Sequence, residues 1–187
     1  MIKRIFDITF SMLGISIFFF PILLISILIF FSSPGPIIHW SKRIGYDSKP
    51  FRMPKFRTMK IDTPNKASHL LNNPDFYVTR IGKFLRLSSL DELPQLISVI
   101  KGDMSLVGPR PALFNQYDLI LLRKKKRIDK LLPGITGWAQ INGRDKVSIL
   151  VKVKLDEEYL KKQSIYFDLK VILFTIFKII DHNKVSH

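Results

Sequence analysis

Cysteine is absent from this chain of 187 residues. Disulfide frameworks, thiolate zinc sites and thiol nucleophiles are thereby excluded, because the atoms they require are missing. Acids are scarce as well, 15 Asp and Glu against 30 Lys and Arg, which leaves a formal charge of +15. Such a molecule is drawn to polyanions, whether nucleic acid, an anionic leaflet or phosphorylated substrates, and charge alone does not choose among them. There is no repeat at a fixed period and no low-complexity tract beyond an apolar start. The hydrophobic content of 47% argues against disorder throughout and suffices for one domain with a core.

The apolar start is the strongest composition signal. Ile8 to Phe31, ITFSMLGISIFFFPILLISILIFF, is 24 residues without a formal charge. A straight helix of that length measures about 36 Å at ~1.5 Å per residue, enough for a hydrocarbon core of about 30 Å. A cleaved signal peptide fits poorly, since the run is too long and no small-residue cleavage pattern follows. A single-pass anchor is the serious alternative to a helix that bends and returns. Pro21 removes a backbone donor near the middle and predicts a kink. Lys3 and Arg4 precede the run and a basic stretch follows it, so a returning helix keeps both positive flanks on the cytoplasmic side.

SSPGP, from Ser32 to Pro36, marks the exit, after which the composition turns basic and mixed. Lys42 to Lys60 carries seven basic side chains against the single acid Asp47, a stretch able to grip phosphates. Helical character resumes near Leu93 to Ile100. GDMSLVGPRP, Gly102 to Pro111, reads as a loop, and PGITGWAQINGR, Pro133 to Arg144, as a shaped loop. RKKKR, Arg123 to Arg127, reads as a solvated or lipid-facing helix surface. Ile165 to Ile180 has the length and near-continuous apolarity of a core helix or one lying at a membrane interface.

Against this basic background RLSSLDELPQL, Arg86 to Leu96, places Asp91 and Glu92 side by side. One reading is a helix start, with Ser89 and Glu92 at capping-box spacing and Pro94 in the first turn. The other is a reactive pair, in which Asp91 acts as nucleophile or metal ligand while its neighbour adjusts its protonation. Arg86 and Arg110 are candidate cations for offsetting the pair or for holding a phosphate. The segment alone leaves both readings open.

The wider pattern bears on the choice. PKFRTM (Pro54 to Met59), SSLDELPQL (Ser88 to Leu96), KGDMSLVGPRP (Lys101 to Pro111) and PGITGWAQINGR resemble, in that order, the motifs of the bacterial sugar transferase family. These are the small monotopic polyprenyl-phosphate phosphoglycosyl transferases, and the resemblance runs through the C-terminal FDLK. It implies a mainly α, membrane-associated (monotopic) fold. Residues 1–36 would form a re-entrant membrane helix and exit turn, and 37–187 a cytosolic, helix-rich catalytic domain with amphipathic interfacial helices and long shaped loops. The implied reaction moves a sugar 1-phosphate from a UDP-sugar to undecaprenyl phosphate and releases UMP, at the cytosolic face of the bacterial inner membrane. It would start an O-antigen, capsule, exopolysaccharide or glycoprotein glycan.

By the same resemblance Asp91 is the catalytic nucleophile that forms an aspartyl phospho-sugar, Glu92 assists it, and Mg²⁺ touches Asp91. Lys55, Arg57, Arg86, Pro109, Arg110, Pro111, Gln140 and Arg144 are the substrate-binding candidates. Membrane lipids are implied partners, downstream glycosyltransferases are candidate partners, and no nucleic acid is expected. The chain departs from the family at its helix break, where Phe20-Pro21 replaces the usual Ser-Pro, and at Ser41, Ser98 and Leu132. It also lacks the extra N-terminal spans of larger relatives, which reads as a minimal catalytic unit. The rival readings are direct attack by the lipid phosphate, with Asp91 only holding Mg²⁺, and a basic membrane-tethered binding or scaffold protein without chemistry.

Overall fold

A proline dictates the shape of the N-terminus. Helix α1 runs over Ile2–Ile17 and α2 over Phe19–Ser32, with a bend of 62° between them. Pro21 has no N–H to offer Ile17, and its ring crowds that carbonyl, so the helix breaks at Phe18, before the proline and not at it. Pro21 then sits in the first turn of α2, where a missing donor costs little. In this computed structural model, which describes residues 1–63, 74–143 and 147–180, no single helix is long and apolar enough to cross a membrane, whereas the bent pair passes that test together.

After the exit turn the chain forms a hairpin of β1 (Ile38–Ile44) and β2 (Pro50–Phe56), paired antiparallel so that His39 faces Lys55 and Lys42 faces Arg52. Short helices α3 (Pro74–Tyr77) and α4 (Arg80–Ser88) follow, then α5 (Gln95–Lys101). Thr79 caps α4 by accepting from Gly82 N at 2.9 Å. The segment expected to be loop from Gly102 to Pro111 contains a strand, β3 (Ser105–Val107). Pro133 to Arg144 likewise contains β5 (Gly134–Thr136) and α7 (Trp138–Ile141). Between them lie β4 (Ala112–Leu113), which joins the hairpin in the order β2-β1-β4, and α6 (Tyr117–Lys125). The chain ends in α8 (Ile149–Lys162) and α9 (Ile165–Ile180), the latter with the bounds read from its apolar run.

The β3–β5 pairing is parallel, and glycine makes it possible. A Cβ on Gly108 would stand 2.3 Å from Leu132 O, one on Gly134 2.1 Å from Gly108 N, and one on Gly137 2.1 Å from Gly108 O. Backbone therefore lies directly on backbone where GPRP meets PGITG. Short strands with glycine and proline at their ends escape a reading based on alternation, which is why both segments look like loops in sequence.

The main core gathers Val107, Leu119, Ile128, Ile141, Val153, Tyr159 and Val171 from α6 to α9 and β3. A second cluster joins Ile25 and Ile29 of α2 to Phe56 and Leu85. Buried charge ties α1 and α9 to the main core. Lys3 Nζ donates to Asp168 Oδ2 at 2.6 Å and to Val107 O at 3.3 Å, while the Tyr159 hydroxyl lies 2.6 Å from Asp168 Oδ1 and 3.0 Å from the same carbonyl. Burial, then the Asp168 charge, pushes the Tyr159 phenol well above its usual range, which keeps it a proton donor. Asp7 accepts from Leu106 N at 3.1 Å, and Arg4 donates to Val99 O (2.5 Å) and Ile100 O (2.7 Å) at the end of α5. The two cations expected to mark membrane sidedness thus tie α1 to the body of the protein.

Outside, α1 and α2 leave Phe10, Leu13, Phe19, Phe20, Leu24 and Phe31 exposed, and α9 does the same with Leu169, Leu173, Phe174 and Phe177. Exposed apolar area on this scale is a surface built to be covered.

Because Asp168 is fully buried, removing its cation strands a charge. Lys3→Ala is expected to destabilise the fold by about 3–5 kcal/mol, and Lys3→Met with Asp168→Leu to recover most of that loss. Denaturant unfolding in detergent micelles measures both, and a double variant as weak as the single would contradict the expectation.

Candidate active site

The two acids sit on a turn between helices. Helix α4 ends at Ser88, Ser89 takes the left-handed conformation (φ 58°), and Leu90–Glu92 form one 3-10 turn before α5 begins. Leu90 and Leu93 sink into the cluster around Ile25 and Phe56, and so turn Asp91 and Glu92 to the other side. The capping box does not form. Ser89 makes no side-chain cap bond, and the Glu92 carboxylate is engaged by cations from two other elements. Lys55, on β2, donates to Glu92 Oε1 at 2.6 Å, and Arg110 Nη2 donates to the same oxygen at 3.0 Å. Lys55 Nζ is also 3.6 Å from Asp91 Oδ2, within ion-pair range but beyond a direct hydrogen bond.

This geometry separates the two carboxyls. Burial alone pushes Glu92 up, but the charges of Lys55 and Arg110, with their hydrogen bonds, more than reverse it and hold the group well below the usual carboxylate range. Asp91, 8% exposed, is raised: burial is the largest cause and the Glu92 charge adds to it, against the opposing pull of Lys55, Arg110 and Arg86. Glu92 is the permanent anion of the pair, and Asp91 is a carboxylate of raised basicity with no donor fixed on it by Lys55.

Arg110 is held by its backbone. Three successive carbonyls are each engaged: Pro109 O by Gly134 N (3.0 Å), Arg110 O by Arg123 Nη1 (2.8 Å) and Pro111 O by Arg43 Nη1 (3.2 Å). The prolines fix φ on either side of Arg110, so the turn presents that guanidinium from a stiff frame. Arg123 does not lie on the solvated surface expected for RKKKR. It is buried and bound through Nε (3.0 Å) and Nη2 (2.7 Å) to Asp156 Oδ2 on α8, whereas Lys124 to Arg127 are exposed. Its role was hidden by its neighbours in a charge run; an acid 33 positions on gives no local signal.

The candidates therefore divide. Lys55, Asp91, Glu92 and Arg110 form one cluster, and Arg86 acts on Asp91 by its charge while Nε donates to Thr58 Oγ1 at 2.9 Å. Pro109 and Pro111 frame the Arg110 turn. Arg57 turns towards the exit of α2, donating from Nη2 to Ser33 O (2.7 Å) and Oγ (3.0 Å). Gln140 donates to Ile135 O at 3.0 Å and so faces its own segment, and Arg144 lies outside the described residues. Thr58, Arg43, Arg123 and Asp156 are participants that sequence reasoning missed.

An acid pair ringed by Lys and Arg thus lies beside a bent apolar helix pair, and such cations are of the kind that hold anionic groups. The chain belongs to the bacterial sugar transferase family, whose model matches residues 1–182. It is 42% identical over 186 residues to the UDP-glucose:undecaprenyl-phosphate glucose-1-phosphate transferase of Escherichia coli K12, covering 95% of this chain and 40% of that protein. It is 39% identical over 180 residues to the uncharacterized sugar transferase EpsL of Bacillus subtilis 168, covering 96% and 87%. With the UDP-N-acetylgalactosamine-undecaprenyl-phosphate N-acetylgalactosaminephosphotransferase of Aeromonas hydrophila the identity is 36% over 182 residues, covering 94% and 43%. The chain thus spans less than half of two of these relatives and most of the third.

The unequal environments are directly measurable. Carboxyl NMR titration is expected to find Asp91 protonating above the ordinary carboxylate value and Glu92 still ionised well below it. Glu92→Gln removes a repelling charge and is expected to move Asp91 to lower pH. An unmoved Asp91 would show that the two carboxyls do not sense each other.

Proposed function

We propose that the protein transfers a sugar 1-phosphate from a UDP-sugar to undecaprenyl phosphate, giving the lipid diphosphate sugar and UMP, at the cytosolic face of a bacterial inner membrane. The observation that carries this reading is the division of labour at Asp91 and Glu92: a raised carboxyl beside one whose charge is already neutralised by Lys55 and Arg110. Relatives whose names state that reaction support it, as does membership of the family. Their names differ in the sugar, glucose in one and N-acetylgalactosamine in the other, so the donor is left to experiment.

In the first step an Asp91 carboxylate oxygen attacks the sugar-bearing phosphorus. A bond forms from that oxygen to phosphorus, and the bond from phosphorus to the bridging oxygen breaks, so that UMP leaves with the bridging oxygen. In the second step an oxygen of the lipid phosphate attacks the same phosphorus and expels Asp91. Raised basicity makes Asp91 a better nucleophile, and its burial beside Lys55 lets it approach an anion that would repel a solvated carboxylate. Arg110 and Arg86 stand where diphosphate charge accumulates, while Glu92 holds the Lys55 ammonium and the Arg110 guanidinium in place.

Mg²⁺ fits this donor set as an ion bound by one carboxylate, Asp91, with substrate phosphates and water completing its shell, which is its usual habit. Among the described residues no group of three His, Asp or Glu side chains forms an all-protein cage. The ion would offset the diphosphate charge. The bent pair α1–α2 is proposed to enter one leaflet and return, with the exposed apolar faces of α1, α2 and α9 in the interface and the catalytic domain in the cytosol.

The test is UMP release from a panel of UDP-sugars with Mg²⁺ and undecaprenyl phosphate. One sugar is expected to support lipid-dependent release. Asp91→Asn is expected to lose at least about 10³-fold, in line with removal of a nucleophile, and Glu92→Gln about 10²-fold. Radiolabelled phospho-sugar retained on denatured protein without acceptor identifies the covalent step. Its absence alongside full turnover would favour direct attack by the lipid phosphate.

A further inference from the structure

Arg57 has capacity that the fold does not use. It is 7% exposed, and its Nε and Nη1 are buried without a hydrogen-bond partner among the described residues, although Nη2 is committed to Ser33. A buried guanidinium with idle donors is costly as a mere brace, because a neutral side chain could hold Ser33 without that desolvation. The same donors suit an anion, since charge-assisted bonds to phosphate oxygens are the strongest a guanidinium makes.

Its position says which anion. Arg57 N donates to Ile37 O at 2.9 Å, so the backbone continues the hairpin ladder one step beyond β2 and sets Arg57 against the exit turn of α2. On an extended chain it stands roughly 7 Å from Lys55, the residue that serves the two acids. The next residue, Thr58, receives Arg86, whose charge acts on Asp91. Two and three residues before the Ser33 that Arg57 holds, Phe31 and Phe30 lie at the end of α2, exposed by 81% and 62%. A phosphate at Arg57 would therefore have near it in the chain both the strand that carries Lys55 and the exposed apolar end of α2, the demand of a head on a lipid tail. Nη1 is covered by the Gly35 backbone and the Ile61 side chain, so a ligand reaches it only when Ile61 swings aside. Gly35, at φ +113°, lets the chain lie so close that a Cβ there would fall 2.4 Å from Nη1, and the same Cβ would meet Ile61, whose side chain is mostly in solvent (58%).

We propose that Arg57 binds the phosphate monoester of the lipid acceptor, and that it does not serve the diphosphate of the nucleotide donor. The inference rests on the proposed function but is tested by binding, not turnover. Full-length protein in nanodiscs of zwitterionic lipid is titrated with a radiolabelled short-chain polyprenyl phosphate and, separately, with the UDP-sugar. Arg57→Gln is expected to weaken the lipid phosphate at least about tenfold, the loss of one charge-assisted contact, and Arg57→Lys less. Donor affinity should stay within about twofold in both variants, which also reports that they are folded. Inorganic phosphate should fail to displace the label where unlabelled polyprenyl phosphate succeeds. Equal displacement by inorganic phosphate would make this a free-phosphate site and overturn the lipid assignment. Unchanged lipid binding in Arg57→Gln, or parallel loss of donor and lipid in both variants, would return Arg57 to bracing the exit turn. Lipid binding that depends on Arg57 in a protein releasing no UMP would uphold the site while refuting the transferase reading.

Discussion

The carbonyl of Val107 is the point on which the rest of the molecule turns. Lys3 from the first helix and Tyr159 from α8 converge on it, and Asp168 from α9 holds both. One residue further along, the chain enters the Gly108 to Pro111 turn that presents Arg110 to Glu92. The seating of the N-terminal helix, the packing of the C-terminal pair and the placement of the cation that meets Glu92 are thus consequences of a single buried knot. Charges buried this deeply are tolerated only when all partners are present, so the arrangement selects one geometry.

On the proposed function the physical problem at the site is to keep a carboxylate reactive where anions are to bind. Two adjacent acids would ordinarily raise each other's proton affinity. Here Lys55 and Arg110 give most of their charge to Glu92, and Asp91 keeps a raised proton affinity while remaining beside an ammonium. The excess of basic residues is consumed in the same way elsewhere. Arg43 and Arg123 hold carbonyls of the Arg110 turn, and Arg4 closes the end of α5. Part of the positive charge in this chain is internal carpentry, which net charge by itself does not reveal.

Sequence reasoning reached the elements whose signals are local. Pro21 announced the break in the apolar start, Ile165 to Ile180 carried its own length and apolarity, and the acids and the Pro-Arg-Pro turn stood out in their motifs. The hairpin was missed because Lys42, Arg43, Arg52 and Lys55 interrupt its alternation, Arg43 serving the Pro111 carbonyl and Lys55 two acids far along the chain. The β3–β5 pair was missed because glycines that permit close backbone contact look like loop formers when read singly. Lys3 and Arg4 were read as cytoplasmic flanks and Arg123 as part of a solvated or lipid-facing helix surface because Asp168, the Val99 and Ile100 carbonyls and Asp156 lie far along the chain, and the cap reading of Ser89 stayed open for want of the Lys55 and Arg110 that claim Glu92.

The bend at Phe18 has an architectural corollary. Both limbs of the apolar hairpin are fastened to the same body, the first through Lys3, Arg4 and Asp7 and the second through Ile25 and Ile29. A tether can be exchanged for any other tether of equal greasiness, but a keystone cannot. This N-terminus is a keystone: grafting a generic anchor in its place would keep the address and discard the building.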